Sequence, residues 1–178
     1  MTTYINLFAG PGAGKSTLAA EIFASFKKRG ASVELVTEFA KDLVWENRQS
    51  TLAIQHYVSM KQFRNLARLK GKVDYVITDS PLIKDSVYAR RYATELPQSF
   101  HELLFFLHAN LGDSINILLT REHQYMSEGR YQNEIEAKQI DAELRFLLEL
   151  HSIDYYECAP AIDDILETIY QGAIENVN

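Results

Sequence analysis

The chain has 178 residues, of which 47% are hydrophobic and 24% are charged, a composition typical of a folded domain and not of a disordered segment. The formal net charge of −6 argues against a protein that covers extended nucleic acid through basic side chains. The single cysteine, Cys158, excludes an internal disulfide and a multi-cysteine metal site. No apolar run reaches the length of about 18 residues that a membrane span needs, and the N-terminus does not resemble a signal peptide, so we expect a cytoplasmic protein.

Apolar runs and helical stretches alternate along the chain. The predicted strands are 3–9, 32–37, 73–78, 115–120 and 153–158. The predicted helices are 15–29, 40–70 with a break at 47–50, 83–93, 98–109, 131–150 and 161–175. This alternation predicts one three-layer α/β domain over residues 1–178, with a five-stranded parallel sheet and helices on both faces. Ligands of such sheets bind beyond the carboxyl ends of the strands, so the residues that follow each strand are the candidate site residues.

The stretch AGPGAGKST, residues 9–17, follows the first predicted strand and leads into the first helix. Because glycine has no Cβ, the backbone N–H groups of such a loop can approach a phosphate, and the start of the helix adds further donors. In this pattern Lys15 contacts the β- and γ-phosphates and Ser16 offers its hydroxyl to Mg²⁺. The strict pattern has glycine where this chain has Ala9, so a glycine-rich turn that matches by chance is the alternative. The predicted nucleotide-binding residues are Gly10, Pro11, Gly12, Ala13, Gly14, Lys15, Ser16 and Thr17.

A charged residue follows each of the next three predicted strands, at the same edge of the sheet as the phosphate loop. These residues are Glu38, Asp79 and Arg121. An acidic residue in the position of Asp79 binds Mg²⁺ directly or through water, although a helix N-cap is an alternative role for it. Glu38 either accepts the proton of a substrate hydroxyl or forms an ion pair with Lys41 or Lys15.

The polar segment 121–133 is predicted to be a lid that closes over the bound nucleotide. In that interpretation Arg121 and Arg130 grip the oxygens of the transferred phosphoryl group with their planar guanidinium groups. The alternative is a solvated surface loop in which the two arginines pair with Glu122 and Glu128.

The helical stretch 40–70 is predicted to form the substrate side. On it, Arg64 and Arg68 are four residues apart and would together grip a phosphate, which would make the acceptor a nucleotide or the end of a polynucleotide. A solvated helix face is the alternative for this pair.

Taken together, these stretches resemble the P-loop nucleoside and nucleotide kinases, and most closely the deoxynucleoside kinase and nicotinamide riboside kinase-type domains. They are also similar to small P-loop kinase or NTPase proteins of tailed bacteriophages. The phosphate loop AGPGAGKST is specific for the superfamily only. The resemblance implies the P-loop NTPase fold with an arginine-bearing lid, ATP and Mg²⁺ as cofactors, and phosphoryl transfer as the reaction.

Three further stretches carry the resemblance to the deoxynucleoside kinases. TEFAKDLVW resembles a segment with a general-base glutamate and a pocket tryptophan, which implies these roles for Glu38 and Trp45. IQHYV resembles a segment whose glutamine hydrogen-bonds the nucleobase, which implies that role for Gln55 and places Tyr57 on the substrate side. TDSPLIKDSVYA is similar to the E-R-S segment, but Ser80 stands where that family has arginine. That cationic contact is therefore absent or supplied elsewhere.

The sequence thus predicts an ATP- and Mg²⁺-dependent kinase for a nucleoside, a nucleotide or a nucleoside-like acceptor. The predicted catalytic residues are Lys15, Glu38, Asp79, Arg121 and Arg130, the metal residues are Ser16 and Asp79, and the substrate-binding residues are Glu38, Trp45, Gln55, Tyr57 and Arg64. Two alternatives stay open: a polynucleotide or modified-DNA kinase, and a regulatory NTPase that hydrolyses ATP without a small acceptor. The expected partner is the small acceptor and not a membrane, a homodimer stays open, and a phage-encoded protein would act in the host cytoplasm.

Overall fold

The computed structural model describes residues 1–122 and 132–175, and this part of the chain contains five strands and eight helices. The strands are β1 (Thr3–Phe8), β2 (Val33–Val36), β3 (Tyr75–Thr78), β4 (Asp113–Leu119) and β5 (Tyr156–Cys158). The helices are α1 (Lys15–Lys28), α2 (Phe39–Trp45), α3 (Gln49–Leu52), α4 (Gln55–Ala67), α5 (Lys84–Tyr92), α6 (Gln98–Ala109), α7 (Glu134–Leu150) and α8 (Ile162–Glu175). None of the helices in these two ranges is both long and apolar enough to cross a membrane.

The strands form one parallel sheet in the order β2-β3-β1-β4-β5, which confirms the predicted α/β fold. In the central strand β1, Ile5 is paired with Ile77 of β3 and with Ile115 of β4. Because all strands point the same way, the segments that follow β1, β2, β3 and β4 meet at one edge of the sheet. This edge holds the phosphate loop and the charged residues predicted to surround it.

Side chains of β1 alternate between the two faces of the sheet, as the two-residue period of a strand requires. Ile5 and Leu7 are fully buried against α1 and α8. Tyr4 packs on the opposite face against α4 and α6, and Phe8 packs there against α5 and α7. The sheet is therefore the middle of three layers, with α1 and α8 on one face and α4, α5, α6 and α7 on the Phe8 face.

The helical stretch predicted over 40–70 is interrupted twice. The predicted break at 47–50 is found after α2, at 46–48, where Asn47 has a φ of 55° that does not fit a helix. A second break at 53–54, which was not predicted, separates α3 from α4. Helix α7 begins at Glu134 and not at 131, because Asn133 caps it: the Asn133 side chain accepts the Glu136 backbone N–H, and the Glu136 carboxylate accepts the Asn133 backbone N–H.

Candidate functional site

The phosphate loop joins the end of β1 to the start of α1. Gly12 and Gly14 have φ angles of 81° and 83°, which lie in the left-handed region that glycine adopts without strain. The Lys15 Nζ donates to the Gly10 carbonyl oxygen over 2.8 Å, so the amine is held within the loop. Burial lowers the pKa of Lys15 to about 8, and the opposing effect of the nearby Glu38 carboxylate does not restore it.

Ser16 and Asp79 meet beside the loop, as predicted. The Ser16 hydroxyl donates to Asp79 Oδ2 over 2.6 Å, and the second oxygen of this buried carboxylate, Oδ1, has no hydrogen-bond partner among the described residues. In the part of the chain that the structure describes, no group of three or more His, Cys, Asp or Glu side chains could hold a metal ion. A hydroxyl and one carboxylate with a spare oxygen fit Mg²⁺, which keeps several waters and takes phosphate oxygens as further ligands.

A cavity of about 720 Å³ extends from the phosphate loop toward α2–α5. It brings together nine residues that the sequence predicted for the site: Pro11, Gly12, Gly14, Lys15, Ser16, Thr17, Glu38, Trp45 and Gln55. Its remaining wall residues are Ala40, Lys41, Val44, Gln49, Leu52, Ala53, Val58, Lys84, Asp85, Tyr88, Tyr92, Gln132 and Glu136. Its volume is that of a small-molecule site, which is commonly about 300–1,000 Å³.

The charged centre of the cavity wall is an ion pair between Glu38, which follows β2, and Lys84 at the start of α5. The Lys84 Nζ lies 2.6 Å from Glu38 Oε1, and the lysine side chain is 3% exposed. Burial alone would lower the pKa of Lys84, but the carboxylates of Glu38 and Asp85 outweigh burial and raise it, so the amine is charged. Burial alone would raise the pKa of Glu38, but the positive charges of Lys84 and Lys15 outweigh burial. The pKa of Glu38 is therefore lowered, and the carboxyl is ionised.

Asp85 is the second carboxylate beside Lys84, at 3.7 Å from its Nζ. Burial raises the pKa of Asp85 to about 6, against the attraction of Lys84. Burial likewise raises the pKa of Tyr88, whose ring lies 4.5 Å from the Lys84 amine. One buried cation is therefore shared by two carboxylates and an aromatic face in the cavity wall.

Of the other four predicted substrate-binding residues, two line the cavity and two do not. Gln55 lines it, and its Nε2 donates to the Leu52 carbonyl oxygen over 2.8 Å. Trp45 also lines it and is 67% exposed. Tyr57 packs edge-on against Phe39, and neither Tyr57 nor Arg64 belongs to the cavity wall. The roles of these residues stay predictions.

Of the two predicted lid arginines, Arg130 lies outside the described residues, as does segment 123–131 of the predicted lid 121–133. Arg121 follows β4 and forms an ion pair with Asp141 of α7. It also donates to the Ala137 carbonyl oxygen over 3.3 Å. Asp141 in turn accepts the Gly10 backbone N–H, so Arg121 lies at the start of the phosphate loop.

Sequence reasoning assigned no site role to Lys84, Asp85, Gln62 or Asp141. Gln62 of α4 is buried and bridges two strand ends: its Oε1 accepts the Phe39 N–H over 3.1 Å and its Nε2 donates to the Ser80 carbonyl over 3.0 Å. Ser80 was the available signal for Lys84, because it stands where the similar kinases have arginine and the cationic contact is then absent or supplied elsewhere. Lys84 supplies one four residues further along the chain.

Solved structures of other proteins share this fold, and NadR protein and a deoxyadenosine kinase are two of them. The crystal structure of NadR protein in complex with NR matches with a TM-score of 0.69 and 13% identity, over 96% of this chain and 51% of that chain, so this chain spans about half the length of that protein. A structure of deoxyadenosine kinase from M. mycoides, with the products dCMP and a flexible dCDP bound, matches with a TM-score of 0.60 and 18% identity over 97% and 99% of the two chains. At these identities the likeness is one of fold.

No curated protein sequence matches the chain. A family model, described as an AAA domain, matches residues 4–163, which include the phosphate loop, the five strands except Thr3 at the start of β1, and the whole cavity wall. With its P-loop nucleoside and nucleotide kinase fold, the chain belongs to the AAA domain family.

Proposed function

We propose that this protein transfers the γ-phosphoryl group of ATP to a hydroxyl of a nucleoside-like small molecule. The proposal rests on the cavity of about 720 Å³ that joins the phosphate loop to the buried Glu38–Lys84 pair. A protein that only hydrolyses a nucleotide admits water, which needs no cavity of this size beside a carboxylate. The fold is shared with a deoxyadenosine kinase and with NadR protein, which binds NR, and this supports a nucleoside-like acceptor.

The nucleotide side uses the phosphate loop and its two neighbours. The loop N–H groups and Lys15 would hold the β- and γ-phosphates of ATP, and Ser16 and Asp79 would hold Mg²⁺. When bound, the ion neutralises charge that develops on the phosphate oxygens. In the free protein the pKa of Lys15, about 8, is close to neutral pH, and a bound phosphate would favour the charged form of the amine.

On the acceptor side, Glu38 orients the attacking hydroxyl. The acceptor oxygen forms a bond to the γ-phosphorus as the bond between the γ-phosphorus and the oxygen that bridges it to the β-phosphate breaks. ADP leaves with that oxygen, and the hydroxyl proton passes to a Glu38 carboxylate oxygen. Because the transition state of phosphoryl transfer is loose, positioning the hydroxyl matters more than its early deprotonation. Lys84 holds the pKa of Glu38 low, and the carboxylate therefore stays an acceptor of the hydroxyl hydrogen bond at neutral pH.

Recognition of the acceptor falls to the part of the wall formed by α2–α5. Trp45 and Tyr88 offer aromatic faces for a planar base, and Gln55 offers an amide beside them. Arg64 does not line the cavity, which weakens its predicted role as a ligand of an acceptor phosphate and favours an uncharged acceptor over a polynucleotide end. We keep Arg121 and Arg130 as the arginines that stabilise charge on the transferred group.

A transfer assay tests the proposal. γ-labelled ATP and Mg²⁺ are incubated with the protein and with a panel of nucleosides, nucleoside monophosphates and 5′-hydroxyl oligonucleotides, and the labelled products are separated. We expect label on at least one nucleoside or nucleoside-like compound, and no label when Lys15→Ala replaces the wild-type protein. Label that appears only in inorganic phosphate, at a rate that no acceptor changes, would contradict the proposal and favour the regulatory NTPase.

A further inference from the structure

Gly10 is held from three sides at the start of the phosphate loop. Its N–H donates to Asp141 Oδ1 over 2.5 Å, and its carbonyl accepts from Lys15 Nζ over 2.8 Å. A Cβ at this position would lie 2.5 Å from the Ala137 carbonyl oxygen and 2.9 Å from Arg121 Nη2. The loop and α7 are therefore in direct contact, and only glycine leaves room for it.

Asp141 is the residue at which these contacts meet. Its Oδ2 accepts from Arg121 Nε, and its Oδ1 lies 3.3 Å from Arg121 Nη2 while it accepts the Gly10 N–H. The carboxylate thus bridges one edge of the guanidinium and the first glycine of the loop. Both side chains are largely withdrawn from water, with exposed fractions of 14% for Arg121 and 23% for Asp141. Such an arrangement fixes the orientation of an arginine better than a solvated ion pair does.

We propose that Asp141 is a positioning residue that holds Arg121 against the phosphate loop, so that the guanidinium meets the phosphates of a bound nucleotide. Asp141 engages the Nε and Nη2 edge, and the Nη1 group is the part of the guanidinium that reaches a phosphate oxygen. The carboxylate does not repel the nucleotide, because its charge is matched by Arg121 at close range. The inference rests on the proposed function only for the identity of the nucleotide.

The opposite role is a latch, in which Asp141 holds Arg121 away from the nucleotide and must release it. The two roles predict opposite signs for removal of the Asp141 charge. A positioning residue strengthens nucleotide binding through Arg121, so its loss weakens binding. A latch competes with the phosphates for Arg121, so its loss tightens binding.

A double-mutant cycle on nucleotide affinity separates these roles, and it needs no acceptor. The Kd of a non-hydrolysable ATP analogue with Mg²⁺ is measured by calorimetry for the wild type, Asp141→Asn, Arg121→Ala and the double variant. We expect Arg121→Ala to weaken binding about tenfold or more, since hydrogen bonds to charged groups are strong, and Asp141→Asn to weaken it by roughly threefold to tenfold. Because Asp141 acts through Arg121, the double variant should bind no more weakly than Arg121→Ala alone.

Glu143→Gln is the matched control, because Glu143 also lies on α7 and forms an ion pair with an arginine, Arg91, but does not contact the loop. Its affinity should equal that of the wild type. Asp141→Glu keeps the charge and should retain most of the affinity. It gives a second test if thermal melting shows that Asp141→Asn is not folded. The inference would be overturned if the fold-losses of affinity of the two single variants multiplied in the double variant, or if Asp141→Asn bound the analogue more tightly than the wild type. A failure to find any acceptor would refute the kinase proposal and leave this cycle unaffected.

Discussion

Replacement of Lys84 by methionine tests the charged centre of the cavity. The substitution keeps a long unbranched side chain and removes the buried cation that lies 2.6 Å from Glu38 and 3.7 Å from Asp85. The two carboxylates then remain in the cavity wall without the cation that contacts both of them, and Glu38 keeps only the more distant charge of Lys15 and Lys41. Leaving buried charge uncompensated in this way typically costs about 3–5 kcal/mol. Because the Glu38 side chain is 27% exposed and keeps some hydration, we expect the lower end, about 3 kcal/mol.

The assay is thermal unfolding followed by circular dichroism. For a chain of this length, a loss of about 3 kcal/mol lowers the Tm by roughly 6–12 °C. The loss should also depend on pH. The pKa of Asp85 is already raised by burial, and without Lys84 it rises further, while the pKa of Glu38 also rises, so the folded state of the variant binds more protons at mildly acidic pH than that of the wild type. The variant should therefore regain part of the lost stability at about pH 5 relative to about pH 8.

Lys138→Met is the matched control, because it removes an ion pair with Glu134 that lies on the surface of α7. Its Tm should stay at the wild-type value at both pH values. A Lys84→Met variant that melts within about 2 °C of the wild type, or a loss of Tm that is equal at both pH values, would show that Lys84 does not neutralise buried carboxylates.

Three further changes probe the nucleotide side. The pKa of Lys15 is about 8 in the free protein because of burial, so the affinity for an ATP analogue should fall about tenfold from about pH 7 to about pH 9, measured by calorimetry. Gly10→Ala should weaken the same affinity by at least about tenfold, because its Cβ would overlap the Ala137 carbonyl oxygen. Ser16→Ala should remove most of the increase in affinity that Mg²⁺ produces and leave Mg²⁺-free binding unchanged, because Asp79 loses its hydroxyl partner at the metal site.

Each of these outcomes has a clear opposite. An affinity that is constant or rises up to about pH 9 would mean that Lys15 does not need its charge to bind the phosphates. Unchanged affinity in Gly10→Ala would mean that α7 moves away from the loop when nucleotide binds. A normal Mg²⁺ response of Ser16→Ala would exclude its hydroxyl as a metal ligand.

The sheet and the phosphate loop could be predicted because their signals are local. Apolar runs with β-branched residues marked all five strands, and the spacing of Gly12, Gly14, Lys15 and Ser16 marked the turn into α1. The contact between Ser16 and Asp79 also followed from the sequence, because parallel strands bring the residues after them to one edge.

The ion pairs of the site could not be predicted in the same way, because they join residues far apart in the sequence. Lys84 and Glu38 are 46 residues apart, and Asp141 and Gly10 are 131 residues apart. The partners predicted for Glu38 were Lys41 and Lys15, which are nearer in the chain or in the motif. In the fold, the start of α5 brings the Lys84 Nζ to 2.6 Å from Glu38 Oε1. Gly10 did carry a usable signal, since a glycine at a position that the phosphate-loop pattern leaves free indicates a close neighbour.

The proposed reaction depends on an acceptor hydroxyl that Glu38 positions in the cavity beside the phosphate loop. The most direct test compares Glu38→Gln with the wild type in transfer of labelled phosphate to the best acceptor and in binding of a non-hydrolysable ATP analogue. Glu46→Gln, on the exposed end of α2, is the control. We expect Glu38→Gln to retain binding of the analogue and to transfer phosphate about 10²- to 10⁴-fold more slowly, because the neutral amide holds the acceptor hydroxyl less well than the carboxylate and cannot take its proton. Transfer at the wild-type rate would contradict this role for Glu38.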